Sequence, residues 1–345
     1  MKSASSSILA ERLTAQGLAG PPLTDPTAVA ERLLAVQGQD PRGFRLAVRA
    51  RTEGLSAADV ERALAGRELV VTWLNRGTLH LVRGEDYPWL QALTTPPLLT
   101  SSGRRLRQEG VSEAEAERAM ATIERALADE GPLTRVQLRE RLDSAGVPTD
   151  GQAMIHLLFL AAVRGIVVRG PMVGKQHAYV LVRDWLGEPP AVDRERALAE
   201  LARRFLVGHQ PASDRDLAKW AGLPLRDARA GLKAVGSVLE EGEDGLVRLA
   251  KRPAPEPTPP PRLLGAFDPV LLGWTSREAI LGPHTNLVTR NGIFHPFAMA
   301  KGRAVAKWGM AAGKLTMEPL QPLPAKVSKA LDVDAARVTA FLGPA

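Results

Sequence analysis

Residues 212–232, ASDRDLAKWAGLPLRDARAGL, read as a helix-turn-helix. Polar capping residues stand before each of two short helical runs, and Ala221-Gly222 marks the turn between them. A helical stretch, RERALAELARRFLVGHQ (194–210), precedes this unit, and the short strand candidates SVLEEG and GLVRLA follow it. Helices followed by a β-hairpin is the winged-helix order. The same order occurs twice upstream. SEAEAERAMATIERALADEG (112–131), PLTRVQLRERLDSAG (132–146) and TDGQAMIHLLFLAAVRG (149–165) lead to the strands IVVRG and HAYVLVRDWL. Before them, TDPTAVAERLLAV (24–36), a helix opening at Asp40-Pro41 and SAADVERALAG (56–66) lead to ELVVTWLNRGTLHLVRGEDY, two β-rich runs around Asn75-Arg76-Gly77. The first of these helical patterns breaks at Gly38, so Gln37-Gly38-Gln39 occupies a tight junction between two helices.

Residues 252–262, RPAPEPTPPPR, are too rich in Pro for helix or central strand and form a stiff connector. Beyond it, short β-rich runs are separated by turn signals, of which Asn291-Gly292 is the strongest, and a helical VSKALDVDAARVTAFLG closes the chain. The expected fold is α+β: winged-helix modules at 1–108, 109–190 and 191–251, the linker at 252–262, and a small β-barrel-like domain at 263–345.

Lys and Arg number 45 against 38 Asp and Glu, a formal charge of +7. That balance favours a polyanionic partner, although many Arg-rich proteins are basic without binding nucleic acid. Cysteine is absent, which removes disulfides, thiolate nucleophiles and Cys-based zinc sites together. The N-terminus lacks the long apolar run of a secretory signal, and no stretch reaches the ~20 apolar residues that span a bilayer. The expectation is a cytoplasmic protein with no membrane partner.

The histidines at 80, 156, 177, 209, 284 and 295 show no metal-ligand spacing, and P-loop, dinucleotide-binding and Ser-elbow motifs are missing. No metal or cofactor is expected. Asp40 and Glu85/Asp86 sit in a helix-cap and a turn context, which favours structural roles. His80, in an alternating strand beside Arg76, reads first as a packing or hydrogen-bonding residue and second as a phosphate or substrate contact. Gln37-x-Gln39 is weak as a pattern, since ten Gln in 345 residues give roughly 0.3 such pairs by composition. Taken alone, the residues favour surface polar side chains; only their place at a helix break sets them apart. Arg42, Arg45, Arg49 and Arg51 follow directly, with further clusters at Arg104, Arg105 and Arg107 and at Arg203 and Arg204. Such clusters suit phosphate contacts or an ordinary solvated helix face.

Two segments of the first module, LLAVQGQDPRGFRLAVRAR (33–51) and WLNRGTLHLV (73–82), resemble the AlkZ-type, YcaQ-related bacterial DNA glycosylases. So do AFDPVLLGW (266–274) and RNGIFHPFAMAKGRAVAKW (290–308) near the C-terminus. The resemblance implies tandem winged helices and a β-barrel in a C-shaped, DNA-embracing arrangement, and excision of alkylated purines with Gln37 and Gln39 as the catalytic pair. The YcaQ branch carries Asp at the second Gln, so Gln39 resembles the crosslink-unhooking, azinomycin-resistance branch. Beside that pair, Arg42, Arg45, Arg76 and His80, from their local settings, and Asn291 and His295, at the hairpin turn, are the expected substrate or DNA contacts. The expected partner is double-stranded DNA bearing alkylated or crosslinked purines, met by a nucleoid-associated monomer. Two rivals remain: a winged-helix transcription regulator, and a resistance protein that sequesters the drug without catalysis.

Overall fold

The computed structural model describes residues 2–343. They form two compact units, one holding the residues up to Val60 together with those from Leu198 onward, the other Glu61–Ala197. In the first of them the opening helices of the chain close on residues from Leu198 onward.

In the discontinuous unit, helix Pro26–Leu33 starts as its sequence dictates: Asp25 caps it, accepting from the Ala28 amide at 2.8 Å, and Pro26 fills the first position. It stops four residues before Gly38, where the break is expected, because Leu34 takes the left-handed conformation (φ 65°). The chain then runs extended through Val36–Gln37, with Leu34, Ala35 and Val36 all buried. Asp40 caps the next helix, Pro41–Arg49. Gly43 is required there, since a Cβ would lie 2.4 Å from the Ala266 carbonyl oxygen. Gly208 plays the same part on helix Arg194–His209, where a Cβ would lie 2.5 Å from the Arg32 carbonyl oxygen.

The centre of this unit is an ion pair. Arg51 and Asp268 are fully buried, joined through two parallel bonds of 3.0 and 2.9 Å. The other Arg51 donors reach the Gln16 backbone and side-chain oxygens (2.7 and 3.0 Å) and the Ala47 carbonyl (2.9 Å), so all five N–H groups are used. The Gln16 amide in turn donates to the Gly208 carbonyl at 2.7 Å. Asp268 belongs to the AFDP segment, in which Phe267 has φ 57° and Asp268 caps a 3-10 turn, Pro269–Leu271.

The C-terminal sheet is a correction to the expected barrel. It is open and antiparallel, in the order Lys314–Pro319, Arg303–Ala311, Phe297–Ala300, Arg262–Leu264. Closure is replaced by a side chain. The Asp334 carboxylate, on helix Ala325–Leu342, accepts from the Leu263 amide at 2.7 Å and covers the edge strand. The Asn291-Gly292 hairpin is present in reduced form, as a turn (Gly292 amide to Thr289 carbonyl, 3.0 Å) closed by a single bridge between Val288 and Phe294.

The helix–helix–helix–hairpin order recurs along the chain. Helices Pro26–Leu33, Pro41–Arg49 and Ala57–Ala65 precede strands Leu69–Leu74 and Thr78–Arg83. Glu113–Glu130, Arg135–Ser144 and Ala153–Val163 precede Val167–Val173 and Gln176–Leu181. Arg194–His209, Asp214–Ala221 and Leu225–Ala234 precede the short pair Leu239–Glu241 and Val247–Leu249. Within the continuous unit the first two hairpins join one antiparallel sheet, Val71 pairing with Arg169. Capping boxes at Ser112/Glu115 and Thr134/Gln137 start two of its helices. Among the described residues no helix is long and apolar enough to cross a membrane.

One side chain of this sheet is better suited to water than to its site. Thr72, opposite His80 in register, is buried and its hydroxyl has no hydrogen-bond partner. Thr72→Val keeps the shape and removes the orphan, so we expect stability to rise by about 1 kcal/mol. A higher urea midpoint with unchanged slope is the expected reading; a lower midpoint would show that the hydroxyl is bonded after all.

Candidate active site

The chain enters the site from the left-handed Leu34 and runs extended to Gln37, which is 5% exposed, and on to Gln39, which lies on the surface. The two side chains meet: Nε2 of Gln37 donates to Oε1 of Gln39 at 2.5 Å. The carbonyl of Gln39 keeps a second lone pair on the solvent side, and neither amide changes protonation near neutral pH. Asp40, the next residue, is committed to its cap, accepting from the Gly43 amide at 2.8 Å.

Beside this cap a cavity of about 380 Å³ opens between helix Pro41–Arg49 and the C-terminal sheet. Asp40, Arg42, His295 and Lys307 supply its polar groups, over walls that include Phe267, Phe294 and Trp308. Arg42 is exposed and donates to the Met310 carbonyl at 3.2 Å. Burial, and then the neighbouring Lys307, lower the pKa of His295. The structure therefore brings Arg42 and His295 together, although they are far apart in sequence. Asn291 stands at the exposed turn nearby in the chain.

Other expected contacts are placed differently. Arg45 is enclosed, 7% exposed, with Nη1 donating to the Pro41 carbonyl at 2.6 Å. Arg49 and Arg51 do not face solvent as a phosphate-binding row would. Arg49 pairs with Asp334 (2.8 Å) and Arg51 with Asp268. In the continuous unit Arg76 is exposed at the hairpin turn in a left-handed conformation (φ 59°), whereas His80 is buried. Its Nδ1 lies 2.9 Å from the Thr78 carbonyl, the geometry of a packing residue. Asp86 accepts from Arg83 Nε (2.7 Å) and from the Trp89 indole (3.3 Å), and so serves the hairpin exit. Sequence reasoning missed Lys307, which has no local pattern of its own, and read Asn75 only as a turn residue, whereas it is fully buried with neither amide atom hydrogen-bonded. Among the described residues no group of His, Asp and Glu could hold a metal ion.

Burial pushes His80 down to about 3, helped by Arg76, and pushes His209 in the other unit down to about 3. The His209 ring stacks on Phe205 with centroids 4.7 Å apart, and its Nδ1 lies 3.0 Å from the Phe205 carbonyl. Both histidines stay neutral in the folded chain where the unfolded chain takes up a proton. Their contribution is thus intact above the unfolded value of 6.5 and is lost as pH falls towards 3. At about 1.4 kcal/mol per pKa unit, stability should drop by several kcal/mol over that window. Urea melts at pH 7 and pH 5 check it: His209→Gln should flatten the pH dependence, and an unchanged slope would show that the ring protonates inside the fold.

Residues 30–341 match the family described as DNA glycosylase AlkZ-like. The chain belongs to the AlkZ-like DNA glycosylases. A curated relative from Streptomyces sahachiroi, described as an interstrand DNA cross-link repair glycosylase, is 29% identical, and the match covers 99% of this chain and 98% of that protein. The solved structure of the Streptomyces sahachiroi DNA glycosylase AlkZ superposes with a TM-score of 0.78 at 24% identity, covering 98% of each chain. That likeness establishes a shared mixed α/β fold for this AlkZ-like chain.

Proposed function

We propose that this AlkZ-like chain is a monofunctional glycosylase that hydrolyses the N-glycosidic bond of N7-alkylated purines. In an antibiotic producer it would unhook drug-induced interstrand crosslinks as self-resistance. The observation that carries the reading is the Gln37–Gln39 amide pair, hydrogen-bonded at 2.5 Å with one member buried and the other exposed.

Two neutral amides are poor catalysts for an ordinary nucleoside, which needs its base protonated before it leaves. An N7-alkylpurine already carries that positive charge. Its departure as a neutral base leaves an oxocarbenium-like sugar, to which water adds at C1′ with release of a proton. The chain has only to orient that water and place carbonyl dipoles against the developing charge. The buried Gln37 fixes the carbonyl of Gln39 for this, and Asp40, held as a helix cap, is not the base. The motif contains no Lys, so no Schiff-base strand cleavage follows.

Three winged-helix modules acting as a monomer on duplex DNA fit the recurring element order. Arg42, Arg76, Asn291 and His295 are the contacts we assign to substrate DNA; the enclosed Arg45 and His80 support their neighbours from within. Because a crosslinked base is tethered to both strands, we infer that the site is reached from a groove, with the Asn291-Gly292 turn probing the minor groove. The test is incubation with duplex DNA carrying N7-methylguanine, then with a crosslinked duplex, scoring abasic sites. Accumulation of abasic sites without strand scission is expected. Intact lesion DNA together with protection of a single operator sequence would replace this reading with that of a regulator.

A further inference from the structure

A larger cavity, about 710 Å³, lies in the discontinuous unit away from the Gln motif. Its charged lining is Arg49, Arg51, Arg262 and Arg337 against Glu53 and Asp334. Most of these charges are already answered. Arg51 spends every donor on Asp268 and its neighbours, and the Asp334 carboxylate is filled by Arg49 and the Leu263 amide. Arg262 and Arg337 are left over. Among the described residues, the one hydrogen bond of Arg262 runs from Nη1 to the Ala50 carbonyl, and Arg337 has neither a hydrogen bond nor an ion pair. Glu53 is exposed at the rim. Pro260 and Pro261 form a wall that offers no N–H of its own.

We propose that this cavity is an anion site in which Arg262 and Arg337 take a phosphate group. A guanidinium brings five donors in a fork that fits phosphate oxygens; half-buried Arg262 commits one donor to the Ala50 carbonyl, and Arg337 stands exposed at the opening with its fork unused. Desolvation, with Arg49 and Arg51 adding to it, lowers the pKa of Arg262 even though the Asp334 and Asp268 carboxylates pull the other way. The phosphate has two possible sources, the DNA backbone, in which case the site extends the glycosylase reading above, and a free phosphorylated molecule.

The test uses the full chain with Arg262→Gln and Arg337→Gln, and with Arg125→Gln, an exposed arginine of the other unit, as the charge control. Inorganic phosphate is titrated calorimetrically, and affinity for an undamaged duplex is followed against salt. If DNA supplies the phosphate, each site variant weakens duplex binding about three- to tenfold more than the control and flattens the salt slope by about one. If a free molecule supplies it, wild type binds phosphate, the site variants lose that binding at least tenfold, and duplex affinity follows the control. Absence of phosphate binding by wild type, together with duplex affinities equal to the control, overturns the proposal. Abasic-site formation from N7-methylguanine is scored in parallel, so a failed glycosylase reading shows itself separately from a failed anion site.

Discussion

Arg51→Met should destabilise the chain by about 3–5 kcal/mol, a large share of the stability of any domain. The substitution keeps much of the side-chain volume but strands the Asp268 carboxylate in a fully buried position and strips the Gln16 backbone and side-chain oxygens of the donors from Arg51. An uncompensated buried charge, rather than a lost attraction, sets the size of the effect. It follows that Arg51→Met combined with Asp268→Leu should recover a substantial part of the loss, since an apolar pair of similar volume avoids the desolvation penalty. Urea unfolding of the two single variants and the double one checks this. A single variant within 1 kcal/mol of wild type, or a double variant no better than the sum of the singles, would show that the buried pair does not organise this unit.

Gln37→Ala and Gln39→Ala are each expected to slow excision of N7-methylguanine by roughly 10²- to 10³-fold under single-turnover conditions, with DNA affinity retained. The 2.5 Å bond between the amides adds a sharper expectation. If Gln37 acts by holding the carbonyl of Gln39, removing either one disables the same device, and the double variant should be scarcely slower than the worse single. Fully additive losses would mean two independent roles, and wild-type rates in both single variants would move the active site elsewhere. Gln37 is buried, so its variant needs a melting control to separate lost chemistry from lost fold.

The parts of this architecture that sequence reading reaches are those fixed by neighbours in the chain. Asp25-Pro26 and Asp40-Pro41 open helices because cap and first residue are adjacent, and Asn75-Arg76-Gly77 turns a hairpin for a similarly local reason. Helices Tyr87–Thr94 and Pro96–Gln108 escape such a reading, because Pro88, Pro96 and Pro97 look like breakers yet stand in the first turns, where no amide is missed. The N-terminal helix Lys2–Ala15 is hidden by its run of serines; Leu9 and Leu13 are buried against Gly302, far along the chain. The same limit applies to the site. Arg42, Arg49 and Arg51 look alike in sequence, and their different fates are decided by Met310, Asp334 and Asp268, more than two hundred residues away. The Gln pair has no pattern strength of its own, and the family resemblance is what singles it out.

The Arg51–Asp268 pair also has a consequence for how the chain emerges during synthesis. The segment Glu61–Ala197 is continuous and can collapse as soon as it has left the ribosome. Residues up to Val60, made first, cannot complete their buried ion pairs until Asp268 and the helix that carries Asp334 have followed them. The loop closed by the Arg51–Asp268 pair spans over two hundred residues, so forming it is a long-range docking of the two ends of the chain. A nascent chain halted before Asp268 would therefore carry both glutamines of the motif and still lack a formed site.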